Sequence, residues 1–157
     1  MTATINDTPL DEVQWSSPQL ARQHGIHENS ILHYFSESPW FDRTSNNAVI
    51  VNQAQFNSNM VKHIQTREAM ELRLREMAGL EFVVGEKPKE MGPGAVWVIN
   101  KQTRRKRPGE EDEVTVHACY FVVGINIYMA PTMADILSSR IVSFLAMLWL
   151  WQQANCF

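Results

Sequence analysis

Two periods of apolar residues divide this chain. Up to about residue 78 the apolar side chains recur three and four positions apart, as on one face of a helix; beyond Gly79 they crowd into short branched and aromatic runs, as in strands. Ser16-Ser17-Pro18 opens the first region, with Ser17 placed as N-cap and Pro18 at the first helical position. The helix PQLARQH is expected to stop at Gly25. Asn29 is placed to cap a second helix, in which Ile31, Leu32 and Phe35 share a face beside Tyr34. Pro39 cannot extend that helix, so Ser38-Pro39-Trp40-Phe41 reads as a turn or a fresh start, and Thr44 to Asn47 offer caps for the next element. From Asn47 to Ala78 there is neither proline nor glycine. Val49, Phe56, Met60, Ile64, Met70, Leu74 and Met77 there predict one long amphipathic helix packed on the core.

Four strands are expected next: LEFVV at 80–84, AVWVI at 95–99, VTVHACYFVV at 114–123 and NIYMA at 126–130. Gly124-Ile125-Asn126 suits a tight hairpin, and Lys101 to Glu113 a hairpin with a long loop. After Pro131 the pattern is helical again. N-terminal helices including a long one, then an antiparallel sheet of about four strands, then a closing C-terminal helix make an α+β domain. Residues 1–14 read as a flexible N-terminus.

Composition narrows the function. A chain of 157 residues with 45% apolar and 20% charged residues is sized for one globular domain. A net charge of -3 gives no overall cationic field for nucleic acid. Cys119 and Cys156 form neither a CxxC pair nor a disulfide framework, which fits a reducing compartment, and the N-terminus carries no secretory signal. The segment IVSFLAMLWLW at 141–151 is shorter than the roughly 20 residues that span a bilayer. No membrane role is expected, and such a helix should be buried; left uncovered, it is an adhesive patch that needs a partner.

Candidate chemistry is sparse. The chain holds no GxSxG, HExxH, GxGxxG or GxxxxGK[ST] pattern, so neither a catalytic centre nor a cofactor is expected. His24, His27 and His33 lack the spacing and the companion ligands of a zinc site and read as surface or capping residues. His117 and Cys119 fall two apart on one strand, a poor geometry for proton transfer. Lys101, Arg104, Arg105, Lys106 and Arg107 form a basic run, followed by four acids at 110–113. The run is a candidate nuclear import or docking patch, although acids within a Debye length of about 8 Å offset its potential. The stretch YFSESPWFDRTSNN at 34–47 crowds Tyr34, Phe35, Trp40 and Phe41 around a proline bend, a pattern open to core packing or to partner anchoring.

These residues also carry a family resemblance. ILHYFSESPWFDRTSNN is similar to the signature near the start of the Mediator complex subunit 6 family. MAGLEFVV, WVINKQTRRKRPG, VHACYFVVG, NIYMAP and ADILSSRIV follow in the family's order, in a form like that of filamentous fungi. The likeness covers Trp15 to about Ser143, giving a domain at 15–143. It implies a curved antiparallel sheet covered by helices and a non-enzymatic, cofactor-free subunit of the Mediator head module. It further implies residence in the nucleus and, as partners, other head subunits and the RNA polymerase II machinery, with no sequence-specific nucleic acid. Tyr34, Phe35, Ser38, Pro39, Trp40, Phe41, Asp42 and Asn46 match the signature, and Tyr34, Phe35, Pro39, Trp40, Phe41 and Asp42 are the partner-binding candidates. From Phe144 the chain departs from the family, and 144–157 is expected to be a divergent apolar end, truncated, alternatively spliced or misread. The rival readings are a ligand-binding or enzymatic pocket around His117 and Tyr120, which a sheet filled by Phe82, Trp97 and Phe121 would oppose, and a nucleic-acid module on Lys101 to Arg107.

Overall fold

Five antiparallel strands in the order β1-β5-β4-β3-β2 form one sheet in a computed structural model that describes residues 14–90, 92 and 94–154. The elements run β1 (Gln14–Ser16), α1 (Pro18–His24), α2 (Ile31–Ser36), α3 (Asn46–Phe56), α4 (Ser58–Val61), α5 (Arg67–Arg75), β2 (Gly79–Glu86), β3 (Val96–Arg105), β4 (Glu113–Val123), β5 (Asn126–Met129) and α6 (Met133–Ala154). The α+β class and the four strands are as the sequence predicts. The fifth strand, β1, has three residues, too few for a periodic signal, and it is held by pairing Trp15 with Ile127 on β5. Of the expected flexible segment 1–14, only Gln14 is among the described residues, and it lies in this strand.

Local signals act as read at several places. The Ser17 hydroxyl accepts from the Leu20 amide at the start of α1, and Gly25 ends it with φ 68°. Ser45 caps α3 by accepting from the Ala48 amide. Asn29 behaves differently: its Oδ1 accepts from the Arg67 amide at 3.1 Å and so caps α5, across the domain, instead of α2.

The long helix expected over 47–78 is three helices. Asn57 takes an extended backbone (φ -139°, ψ 106°) and its side chain accepts from the Asn59 amide. An asparagine side chain that bonds its own neighbouring backbone competes with the helix ladder, so the chain turns there without glycine or proline. Thr66 then caps α5 through the Ala69 amide. As a result Phe56, expected on the core stripe, is 90% exposed, whereas Ile50, Met70 and Leu74 are buried.

Alternation along the strands sends Phe82, Trp97, Ile99, Tyr120, Val122 and Ile127 to one face, where they meet Ile31, Tyr34 and Phe35 of α2. Burying a side chain such as Phe35 stabilises by about 1.5–3 kcal/mol. A second cluster of Ile50, Met70 and Leu74, with Leu32, Ile64, Met77 and Val83 packed on it, gathers around the β2 margin. There the Asn47 amide meets the free edge of β2. Its Nδ2 donates to the Phe82 carbonyl and its Oδ1 accepts from the Phe82 amide, both at 2.8 Å and buried.

Between β3 and β4 the register slips at Lys101/Gln102: Lys101 faces Ala118 and Gln102 faces Val116, so His117 is the extra residue of a bulge. Gly124, at φ 59°, makes the tight turn into β5. Helix α6 does not close over the domain. Among its described side chains only Asp135 is shielded, and Phe144, Met147 and Trp149 are 61%, 68% and 61% exposed. Among the described residues no helix is long and apolar enough to cross a membrane.

Two substitutions test this account by urea unfolding. Asn47→Ala leaves two buried backbone groups of Phe82 without partners and is expected to lower stability by about 2–4 kcal/mol, against under about 1 kcal/mol for Asn46→Ala, whose bond to Ala78 is exposed. Equal losses for the two would remove the clamp from the account. Phe35→Ala is expected to cost about 3–5 kcal/mol and Phe56→Ala less than about 0.5 kcal/mol; a large loss at Phe56 would restore the unbroken helix.

Candidate protein-docking surface

The aromatic stretch splits between interior and surface. Tyr34 and Phe35 are 3% and 0% exposed, so these two partner-binding candidates are core residues in this chain. The Tyr34 hydroxyl accepts from the Ser17 amide at 2.9 Å and donates to the Ile125 carbonyl at 2.6 Å, tying the start of α1 to the β4–β5 turn. Phe35 lies 4.9 Å from the Tyr120 ring, 5.2 Å from Phe82 and 6.4 Å from Phe41 (centroid distances). Phe41 in turn stands 5.2 Å from Phe82. Pro39 is exposed and Trp40 half-buried, its ring 5.8 Å from Tyr120. Burial raises the Tyr120 hydroxyl pKa above its ordinary value.

The turn after the bend is held by charge and hydrogen bonds. Asp42 Oδ1 accepts from the Thr44 amide at 2.9 Å and its hydroxyl at 2.6 Å, and Oδ2 stands 3.6 Å from Lys101 Nζ. The Thr44 hydroxyl and amide, aided by Lys101, hold the Asp42 carboxyl below its ordinary range. Lys101 Nζ also lies 5.9 Å from the centre of the Phe82 ring, a cation–π contact. Of the six partner-binding candidates, those that reach the surface are therefore Pro39, the outer edge of Trp40, and Asp42, beside the exposed Glu37, Arg43 and Thr44.

The basic run is distributed along β3 and the following loop, and acids answer it. Arg104 lies 2.8 Å from the fully buried Glu81 and 3.2 Å from Asp112, and Gln102 donates to Glu81 at 2.7 Å. Lys106 pairs with Asp112 at 2.8 Å, and Arg107 with Glu113 at 2.5 Å. Hydrogen bonds from Lys106 and Arg104 lower the Asp112 pKa. Arg105 is exposed. The arrangement is a mixed-charge hairpin end in which most of the cationic charge is spoken for.

Chemistry elsewhere does not converge. His117 is exposed and its Nε2 sits 2.7 Å from the Thr103 hydroxyl, while Tyr120 is buried. Phe82 and Trp97 fill the covered face, as opposes a pocket there; Phe121 points to the other face and is 38% exposed. A recess lined by Leu20, His24, His33, Tyr34 and Glu37 is a surface dimple with a cavity volume of about 0 Å³, against the roughly 300 Å³ of a small-molecule site. His24 and His33 meet edge to face at 5.1 Å, and His27 Nδ1 accepts from the Asn29 amide. Among the described residues no group of three or more His, Cys, Asp and Glu side chains could hold a metal ion.

What sequence reasoning did not place is which residues line the open side of the sheet and that α6 stands free of the domain. Alternation along β3 to β5 contained the first signal, because both phases of those strands are apolar. The second was visible as an apolar segment, but its lack of cover is a tertiary fact.

Comparison with known proteins agrees with this geometry. The family model described as MED6 mediator sub complex component matches residues 13–153, a span that runs through Phe144. The Mediator of RNA polymerase II transcription subunit 6 of Neurospora crassa is 57% identical over 145 residues, 85% of this chain and 40% of that protein. Its Aspergillus terreus counterpart is 48% identical over 153 residues, 90% of this chain and 47% of that protein. The chain thus spans about half the length of the curated relatives it matches. Among solved structures, the Schizosaccharomyces pombe Mediator subunit Med6 superposes with a TM-score of 0.63 at 31% identity, over 93% of this chain and 95% of that one. A chain of the Schizosaccharomyces pombe Mediator head module gives 0.61 at 28% identity, over 93% and 86%. With a family model matched over most of its length and a solved relative that superposes over 93% of it, this chain belongs to the MED6 mediator sub complex component family.

Proposed function

We propose that this chain is a non-enzymatic subunit of the Mediator coactivator that works in the nucleus by protein–protein contact. In this reading it joins other head-module subunits and helps to bridge regulators and RNA polymerase II. The observation that carries the reading is the superposition on a head-module chain over 93% of this chain. The site geometry supports it: interior positions of the sheet are filled by aromatic packing, and the candidate polar groups point apart. The domain body is read as residues 15–143, with 144–157 as its divergent apolar end.

Within the signature, Pro39, Trp40 and Asp42 are read as the residues that meet a partner; their exposure, and the packing of Phe41 against Phe35 and Phe82 beneath them, support this. A half-buried tryptophan on a proline bend is a rigid anchor whose ordering cost is already met by the fold. A specific contact would bury at least about 1,000 Å², so this bend supplies the centre of a surface and not its whole area. The hairpin charges at Lys101, Arg104, Arg105, Lys106 and Arg107 read as a docking or import element, with Arg105, Lys106 and Arg107 the accessible members.

Affinity purification separates these roles. Trp40→Ala is expected to reduce recovery of head subunits at least about tenfold while leaving the unfolding free energy in urea within about 1 kcal/mol of the parent. Phe41→Ala, at a position packed against Phe35 and Phe82, is expected to lose about 2–4 kcal/mol of stability. Full recovery of head subunits with Trp40→Ala, or unfolding of that variant, would reject the anchor; no recovery with the parent chain would reject the assembly reading for this form.

A further inference from the structure

A short run of lysines and arginines serves as an import signal by offering several neighbouring cations to one acidic receptor surface. In the folded chain the run at 101–107 cannot make that offer. Residues 101–105 belong to β3, whose backbone is laddered to β2 on one side and to β4 on the other. Side chains alternate along a strand, so Lys101 and Arg105 point to one face of the sheet and Arg104 to the other.

Most of these cations are also occupied. Lys101 faces Asp42 and the Phe82 ring. Arg104, whose side chain is 12% exposed, holds Glu81 and Asp112. Lys106 donates to the Arg75 carbonyl at the end of α5 and to Asp112, tying the hairpin to that helix. Arg107 pairs with Glu110 and Glu113. Arg105 is exposed, and it alone of the five forms no ion pair among the described residues.

These restraints differ in strength. An exposed pair such as Arg107 with Glu113 exchanges readily with water and with other charges. Arg104 does not, because its departure leaves the fully buried Glu81 carboxylate with Gln102 as its remaining partner. Freeing Arg104 together with its neighbours therefore means lifting the end of β3 out of a ladder made on both sides.

We propose that closure of the β3–β4 hairpin conceals a nuclear import signal at 101–107, so that the run is read only in chains whose hairpin has not closed. The proposal rests on the import reading of this run given above and adds its regulation by folding. A newly made chain displays the cations along a flexible backbone, and folding withdraws them onto two faces and a set of acids. A chain that has already folded then has to enter the nucleus with a partner that carries its own signal.

The test compares one sequence in two conformations, with no head subunit present. Binding of purified importin-α, a receptor for basic import signals, is measured by fluorescence anisotropy to the folded 157-residue chain and to a peptide of residues 101–113. The peptide keeps the four acids at 110–113, so any difference comes from conformation and not from their charge. It is expected to bind at least about tenfold more tightly than the folded chain. Glu81→Gln combined with Asp112→Asn takes both acids from Arg104 and is expected to raise the folded chain's affinity at least about threefold. Glu86→Gln combined with Glu111→Gln removes the same charge from exposed positions that hold none of the run, and less than about a 1.5-fold change is expected. Circular dichroism checks that each double variant is folded; if the first is not, the comparison of parent chain with peptide decides alone. Equal binding by chain and peptide would overturn concealment. Equal gains by the two double variants would overturn it in favour of net charge, and a peptide that does not bind would remove the signal and leave the run to docking. None of these outcomes bears on head-module assembly.

Discussion

Everything positioned in this domain leans on the ring of Phe35. Four separately encoded segments meet there: α2 that carries it, the bend with Phe41, β2 with Phe82 and β4 with Tyr120. Aromatic pairs at tilted or edge-on angles add roughly 0.5–1.5 kcal/mol each beyond the burial of their area. Their geometry also fixes direction, because a ring that must lie between Phe82 and Tyr120 sets the roll of α2 on the sheet. The proline bend follows three residues after α2 ends, so its surface residues inherit that placement.

Charge does a different task at Glu81, the residue beside Phe82 on β2. Glu81 is fully buried and is met by Gln102 and Arg104, while Arg104 also reaches Asp112 across the hairpin. A lone buried carboxylate would be costly, and its partners make the cost bearable without making the pair a large net stabiliser. What the network supplies is registration: β2, β3 and the loop into β4 have to align for all four side chains to be satisfied. The same pairing explains why a basic run that stands out in the sequence presents so little net positive field.

Features determined within a few residues were legible in the sequence. Ser17, Pro18 and Gly25 delimit α1 because cap, fixed φ and positive φ are local requirements. The strands after Gly79 were equally plain, since branched residues in short runs have few other uses. The break at Asn57 was hidden because asparagine interrupts a helix only when its side chain is recruited to the backbone, which is decided by what the following turn can pack against. Asn29 shows the same limit in space, capping a helix 38 residues away. For the aromatic stretch, its importance was evident but not its division: whether Tyr34 or Trp40 faces inward depends on the roll of α2, which only the assembled core determines.

The Asn47 amide has a consequence for how this molecule can grow into larger structures. By occupying the Phe82 amide and carbonyl, it takes the place that an incoming strand would need at the middle of the β2 margin. The other margin, β1, is three residues long and offers too short a template. Strand-by-strand extension, the route to fibrils and to capture of extended peptides, is therefore closed at one border and weak at the other. Traffic with other molecules is left to the broad faces and the projecting rod, where contact depends on shape and can be undone.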